Sequence, residues 1–344
     1  MRFRLRTLLL LLTAVGVWLG LTVEQARRQR QAVTAILSAG GTIKYVHDEH
    51  FDLPQSAPPG PRWLRRLIGD EFFFHVDGVI FRESRAKPSD LVHLKTFRKL
   101  RLLSLAGIKV SDDDVRNVVA HHPALIWLDL GDTGVSDKAL AYLAPLKLTW
   151  LGLSGNELSD ASLVHLRAFP GISVLVLGRN KLRGDGLAHL AAMRKLKTLN
   201  LSENPLQAEA LRQVSKLGGL EVLYLTKTNV PESALVHLKD MELAILGLQH
   251  NRLTDRGLKE LGDMRGIGFL YLEHADLMPG GLGHLCRLPW LDEIRLNGTV
   301  VGDDDLLRLS GCPKLRTVFA KQTKVTSAGA AKLKSVAPLV TIIY

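Results

Sequence analysis

From residue 79 onward, aliphatic residues recur in pairs separated by one position, and the pairs themselves recur every 23 to 25 residues. Their first members are Val79, Leu103, Leu128, Leu151, Leu175, Leu199, Leu223, Leu246, Leu270, Ile294, Val318 and Ile342. Within one period the pattern changes its own spacing. In Ile172–Met193 an alternating run (Leu175, Leu177) leads to Asn180 and Leu182, then to apolar residues at helical spacing (Leu187, Leu190, Met193). Alternation puts one face of a strand inward, and the second spacing puts one face of a helix against it. Neither half buries its apolar face alone, so a fixed period of this length predicts stacked coils, each covering the next.

Each coil is expected to begin at an apolar residue (Leu125, Leu148, Ile172, Leu196, Leu220) and to turn at a short polar one. Those turn residues are Thr133, Asn156, Asn180, Asn204, Thr228, Asn251, Thr299 and Thr323, whose side chains reach backbone groups left unpaired at a strand end. Ile108 and Ala275 stand at the same place and cannot do this, so their turns should be less well tied. Ser136-Asp137, Ser159-Asp160 and Thr254-Asp255 supply oxygens to cap the helix that follows. Leucines at i and i+3, such as Leu163/Leu166 and Leu258/Leu261, then face the sheet. Strands being narrower neighbours than helices, the stack should curve, with a parallel sheet on its concave side and helices on its convex side. The strand positions between the buried pairs point outward and carry Trp127, Asp129, Trp150, Val174, Val176, Tyr224, Ile245, Phe269, Tyr271, Glu273 and Arg295. Exposed aromatics beside charges on a rigid sheet suit a protein interface. Mutual shielding of large side chains is the plainer alternative.

The first 23 residues break the pattern. Arg2, Arg4 and Arg6 precede 17 uncharged residues, Thr7–Val23, which span roughly 26 Å as a helix against a hydrocarbon core of about 30 Å. No small-residue cleavage site follows, so an uncleaved single-pass membrane anchor is expected over a removed signal. Arg27, Arg28 and Arg30 balance the arginines before it, and orientation stays open. Gly16 and Gly20 form a small-xxx-small pair that would let two anchors dimerise, although chance in an apolar segment accounts for it as well. Gln25–Ser38 reads as a helix stopped by Gly40-Gly41, and Thr42–Val46 as a strand. Leu53–Pro61 is a break, and Trp63, Leu64, Leu67 and Ile68 mark a short amphipathic helix expected to cap the open end of the stack. The expected organisation is therefore anchor 1–23, linker helix and cap 24–78, and coils 79–344, the last ending in a strand with an unpaired edge.

Composition narrows the function. The net charge of +11 is shared as six Arg against Glu24 in residues 1–30, −1 over 31–90 and +7 over the remaining chain, without a block of like charge. Nucleic acid is not an expected partner. Only two cysteines are present; Cys312 occupies the place of Leu288 and Cys286 does not, so a bridge between them is not expected. His93, His165, His189, His237 and His284 recur at one place in their coils, as copied repeat positions would, and His47-Asp48-Glu49-His50 is a run of ligand types without a fold to converge it. Asp112–Asp114 and Asp303–Asp305 sit where helices begin, and capping explains them better than calcium. The Gly-rich run 279–283 lacks the Lys-Ser/Thr of a phosphate loop, and no catalytic constellation emerges. No cofactor or metal is expected.

The coil pattern, L-x-x-L-x-L-x-x-[NT]-x-[LV], resembles the leucine-rich repeat superfamily over about three quarters of the chain. Its period and helical side are similar to the ribonuclease-inhibitor-like and cysteine-containing branches. Gly311-Cys312-Pro313-Lys314-Leu315 matches the G-C-P-x-L step of the latter, whereas Phe169-Pro170 and Leu288-Pro289 depart from it. The Arg-rich, leucine-rich start resembles the anchors of bacterial membrane-anchored leucine-rich repeat proteins. The resemblance implies an α/β solenoid, or horseshoe, serving as a protein-binding scaffold, and no activity. Joined to the anchor, it gives the expectation of a non-catalytic scaffold tethered at the cell membrane and binding a protein through its concave face. The alternative is a structural envelope protein that self-associates.

Overall fold

The computed structural model describes residues 2–45, 75–81, 85–278 and 280–344. The expected break at 53–61, the amphipathic helix around Trp63 and the run His47–His50 lie outside the described residues, as does Pro279 of the Gly-rich run. The chain divides into two compact units, one holding residues 1–133 with 145–147 and the other 134–144 with 148–344.

In the first unit a single uninterrupted helix, α1, runs Arg2–Ser38. Its apolar N-terminal part is bare: Leu8 to Val23 present large exposed side chains. Its C-terminal part is packed, with Gln29, Ala32, Val33 and Ile36 buried at the i, i+3, i+4, i+7 spacing of one helix face. Gly40 (φ 82°) ends it, and a Cβ at Gly41 would fall 2.6 Å from Ile36 Cγ2. The strand Thr42–Tyr45 then pairs antiparallel with Val76–Ile80, covering an edge that the coil pattern alone leaves open. Val76–Ile80 is parallel to Leu102–Ser104, and that strand to Trp127–Asp129. Pro88–Thr96, a 3₁₀ segment, and the α-helix Asp112–His121 cover the other side.

Among the described residues of the second unit, the main sheet runs in parallel from Trp150–Gly152 through Val174–Val176, Thr198–Asn200, Val222–Tyr224, Ile245–Gly247, Phe269–Tyr271, Glu293–Arg295 and Thr317–Phe319 to Thr341–Ile343, and Arg252–Leu253 pairs with Asp276–Leu277 in a second, two-stranded sheet. Register follows the sequence period: Leu151 pairs with Leu175, Leu175 with Leu199, and so on to Val318 with Ile342. The expected inward residues form the core, Leu175, Leu177, Leu182, Leu187 and Leu190 being fully buried. The return segments alternate between short α-helices, such as Asp255–Gly262, and 3₁₀ turns, such as Asp160–Ala168 and Asp185–Ala192. A 24-residue period leaves room for two turns, too few for an α-helix to be favoured over the tighter form.

Buried asparagines tie coil to coil. Asn180 donates to the carbonyls of Leu153, Leu177 and Gly178 at 2.9–3.1 Å and accepts from the N–H groups of Asn156 and Leu158. Asn204 and Asn251 repeat the arrangement, and Thr133, Thr228, Thr299 and Thr323 each donate to the carbonyl three residues back. Ile108 and Ala275 have no side-chain oxygen to give, and at these turns the backbone N–H groups bond to Leu105 O and Leu272 O.

The capping residues do more than expected of them. Ser136 accepts from Lys138 N–H and Ser159 forms a capping box with Ser162, its N–H donating to Ser162 Oγ, but the Thr254 hydroxyl does not cap its own helix. Instead first-turn carboxylates reach the next coil. Asp160 accepts from the N–H groups of Arg183, Gly184 and Gly186, Glu232 from Thr254, and Asp303 from Thr326, while Asp137 holds the Ser162 hydroxyl. Of the two acidic triplets only Asp303 reaches forward in this way: Asp114 forms a capping box with Ser111 in its own coil, and Asp305 accepts from Gly280 in the coil before. Thr326 holds the Asp303 carboxyl below its ordinary pKa.

One expectation is overturned. Cys286 and Cys312 form a disulfide, and Cys312 is not a lone buried thiol. The comparison of places within a coil misled because stacked coils touch sideways. A residue lies against those 22 to 27 positions on, as the Cys286 Sγ contact with Arg308 O also shows.

Candidate functional site

The outward strand positions of the second unit form one continuous face. Trp150, Val174, Val176, Tyr224, Ile245, Tyr271, Glu273 and Arg295 are each half-buried, and Phe269 is exposed at 36 %. Parallel register sets residues of the same strand place side by side, so Tyr271 lies between Gly247 and Arg295, and Arg295 between Tyr271 and Phe319. The Arg295 guanidinium sits 4.5 Å from the Tyr271 ring centroid and 5.1 Å from that of Phe319, and its Nε donates to Glu293 Oε1 at 2.7 Å. Cation–π contacts of this kind hold an arginine flat against the sheet. Burial raises the Tyr271 pKa against the opposing pull of Arg295. The tyrosine is therefore a neutral donor. Tyr224 extends the cluster: its Cδ1 occupies the space that a Cβ at Gly247 would need, at 2.7 Å.

Above these strands His250 and His274 stack with ring centroids 4.9 Å apart. Glu273, between the two in sequence order and on the same loop side, keeps Oε2 buried without a hydrogen-bond partner among the described residues. The cluster offers flat aromatic and guanidinium surfaces with an unspent acceptor, a set suited to binding.

In the first unit Trp127 and Asp129 are half-buried on their strand. Asp129 is engaged at home, accepting from Gly131 N–H at 3.0 Å and from the Ser104 hydroxyl at 3.3 Å, so it supports a turn. Glu293, Phe319, His250 and His274 were not among the expected residues. Phe319 and Glu293 hold the same strand places as Tyr271 and Phe269 and were open to the same counting. The histidines stand in loop positions with φ of 56° and 53°, for which no residue pattern in the chain gives a sign.

The five recurrent histidines lie in the return segments, half-buried or exposed, and His284 Nε2 contacts Asp255 Oδ1 at 3.0 Å. Among the described residues no three His, Cys, Asp or Glu side chains converge as a metal site requires. Gly16 and Gly20 on α1 face open space.

Residues 192–213 match the Leucine Rich repeat family. No curated protein matches the chain in sequence. Among solved structures it is similar to an internalin from Listeria monocytogenes, with a TM-score of 0.51 and 18 % identity over 73 % of this chain and 82 % of that one. A leucine-rich repeat protein of Leptospira interrogans aligns with a TM-score of 0.48 and 20 % identity, over 73 % and 68 % of the two chains. The internalin shares the fold, and the coil period, the buried asparagines and the repeat match over 192–213 agree with it: this chain has the fold of a leucine-rich repeat solenoid.

Proposed function

We propose that the chain is a non-catalytic scaffold, tethered to a membrane by α1, that binds a protein partner through the outward face of its parallel sheet. The observation that carries this reading is the cluster of Tyr224, Phe269, Tyr271, Arg295 and Phe319, large flat side chains left half-exposed on a face built from rigid, register-locked strands. Such residues lose little conformational freedom on binding, and interface energy concentrates in them. The tether is supported by the bare apolar segment of α1, which is long and apolar enough to cross a membrane. Holding the sheet face near a membrane raises its effective concentration toward partners held there.

The Cys286–Cys312 disulfide supports a placement of the coils outside the reducing cytosol. Alkylation of intact cells followed by denaturation should find neither thiol reactive; two reactive thiols would argue for the cytosolic side. The binding face is tested by crosslinking the full chain in its native membranes. Trp150→Ala with Tyr271→Ala should abolish the adduct formed by the unsubstituted chain while circular dichroism stays unchanged. An undiminished adduct from the folded double variant would reject the sheet face.

A further inference from the structure

We propose that the first unit binds an anionic phospholipid headgroup in a cavity formed where α1 leaves the membrane, an inference that rests on the tethered reading above. The cavity measures about 550 Å³ and is lined by Leu21, Glu24, Gln25, Arg28, Lys95, Thr96 and Arg98. Its two walls come from α1 and from the end of the 3₁₀ segment Pro88–Thr96, with the Phe97–Arg98 step after it.

Three features select the occupant. Leu21, 67 % exposed, belongs to the uncharged span, so the floor of the cavity is at the edge of the hydrocarbon. Glu24 to Arg28 lie one to two helical turns further, roughly 5–10 Å along the axis, which is the depth of the headgroup layer. The walls carry three cations against one carboxylate, and Arg28 Nε already pairs with Glu24 Oε1 at 2.8 Å. Lys95 and Arg98 are exposed and make no ion pair among the described residues, leaving two unneutralised cations. A lipid phosphate meets them while its acyl chain continues along Leu21. Because α1 passes unbroken from the bare span into the buried face at Gln29, Val33 and Ile36, this headgroup would be fixed relative to the rest of the first unit.

The test uses the full chain. Native mass spectrometry of protein extracted from vesicles of equal phosphatidylglycerol and phosphatidylcholine should show the anionic lipid retained at least about fivefold over the zwitterionic one, the worth of a single lysine or arginine at an anionic surface. Lys95→Gln with Arg98→Gln should bring the ratio to one, and Lys95→Arg with Arg98→Lys should preserve it. Equal retention of both lipids by the unsubstituted chain, or an unchanged ratio in the glutamine variant, overturns the proposal. So does displacement of the lipid by an equal concentration of inorganic phosphate. Resistance of the unsubstituted chain to alkaline extraction separates the two readings: extraction overturns tether and headgroup site together, whereas firm insertion with equal retention overturns the headgroup site alone.

Discussion

Asn180 shows how much one side chain can hold in a stack of coils. It is buried and bonded to five backbone groups in its own coil and the one before it. Asn180→Ala would orphan several of these groups out of reach of water, each costing about 1–3 kcal/mol, so a loss of about 3 kcal/mol is expected in urea unfolding after partial relaxation. The polar turn position was legible from the sequence because its residue type recurs. The position before it was not. There Asp132, Arg179, Glu203, Lys227, His250, His274 and Gln322 all take φ between 52° and 58°, with Gly107, Gly155 and Gly298 in the equivalent coils. The coil closure imposes that conformation on whatever residue is present, so no composition signals it. The Cys286–Cys312 bridge was missed for a related reason, since lateral contact between coils carries no sequence period of its own. Its removal by Cys286→Ala should destabilise the last coils by about 3 kcal/mol, read as faster hydrogen exchange over residues 281–344. Unchanged exchange would mean that packing alone holds them.

At the scale of elements, strands were legible and return segments less so. Alternating leucines fix a strand, but a leucine pair at i and i+3 is satisfied by an α-helix or a 3₁₀ turn, and the structure uses both. The helix Asp112–His121 ends against a buried histidine whose consequence is measurable. His122 is 1 % exposed, and neither ring nitrogen has a well-formed hydrogen bond among the described residues. Burial, followed by the neighbouring His121, lowers its pKa to about 4, against a weak opposing pull from the Phe97 backbone. The unfolded chain therefore takes up this proton first, near pH 6.5, while the folded one resists it until about pH 4. Stability from this group is complete above pH 6.5 and drains away as pH falls toward 4, by roughly 3 kcal/mol in all. Urea midpoints between pH 7 and 4 should drop correspondingly less in His122→Leu than in the unsubstituted chain. Equal slopes would show that the ring is hydrated in the fold.

On the scale of the whole molecule, the counting that located the inner pairs also located the register, because one period is one coil and one coil is one strand. Val79 against Leu103 in the first unit, and Leu151 through Ile342 in the second, pair as the spacing requires. Less legible was the start of the stack. Thr42–Tyr45 reads as a strand from its alternation, but its antiparallel pairing and the continuity of α1 from bare span to buried cap depend on contacts that occur once and leave no repeat to read. The face proposed for binding is partly legible: the outward placement of Tyr224, Phe269, Tyr271 and Arg295 follows from strand alternation, whereas the bond from Gly131 N–H to Asp129 and the His250–His274 stack depend on loop geometry that alternation does not encode.

The central claim is that recognition belongs to the sheet face and not to the return segments. Site-specific photocrosslinking of the full chain in its native membranes tests it, with the photoreactive residue placed in turn at Tyr271 on the sheet and at the exposed Val164 and Val236 on the return side. A discrete adduct from position 271 alone is the predicted result. Adducts from 164 or 236, with none from 271, would contradict the account.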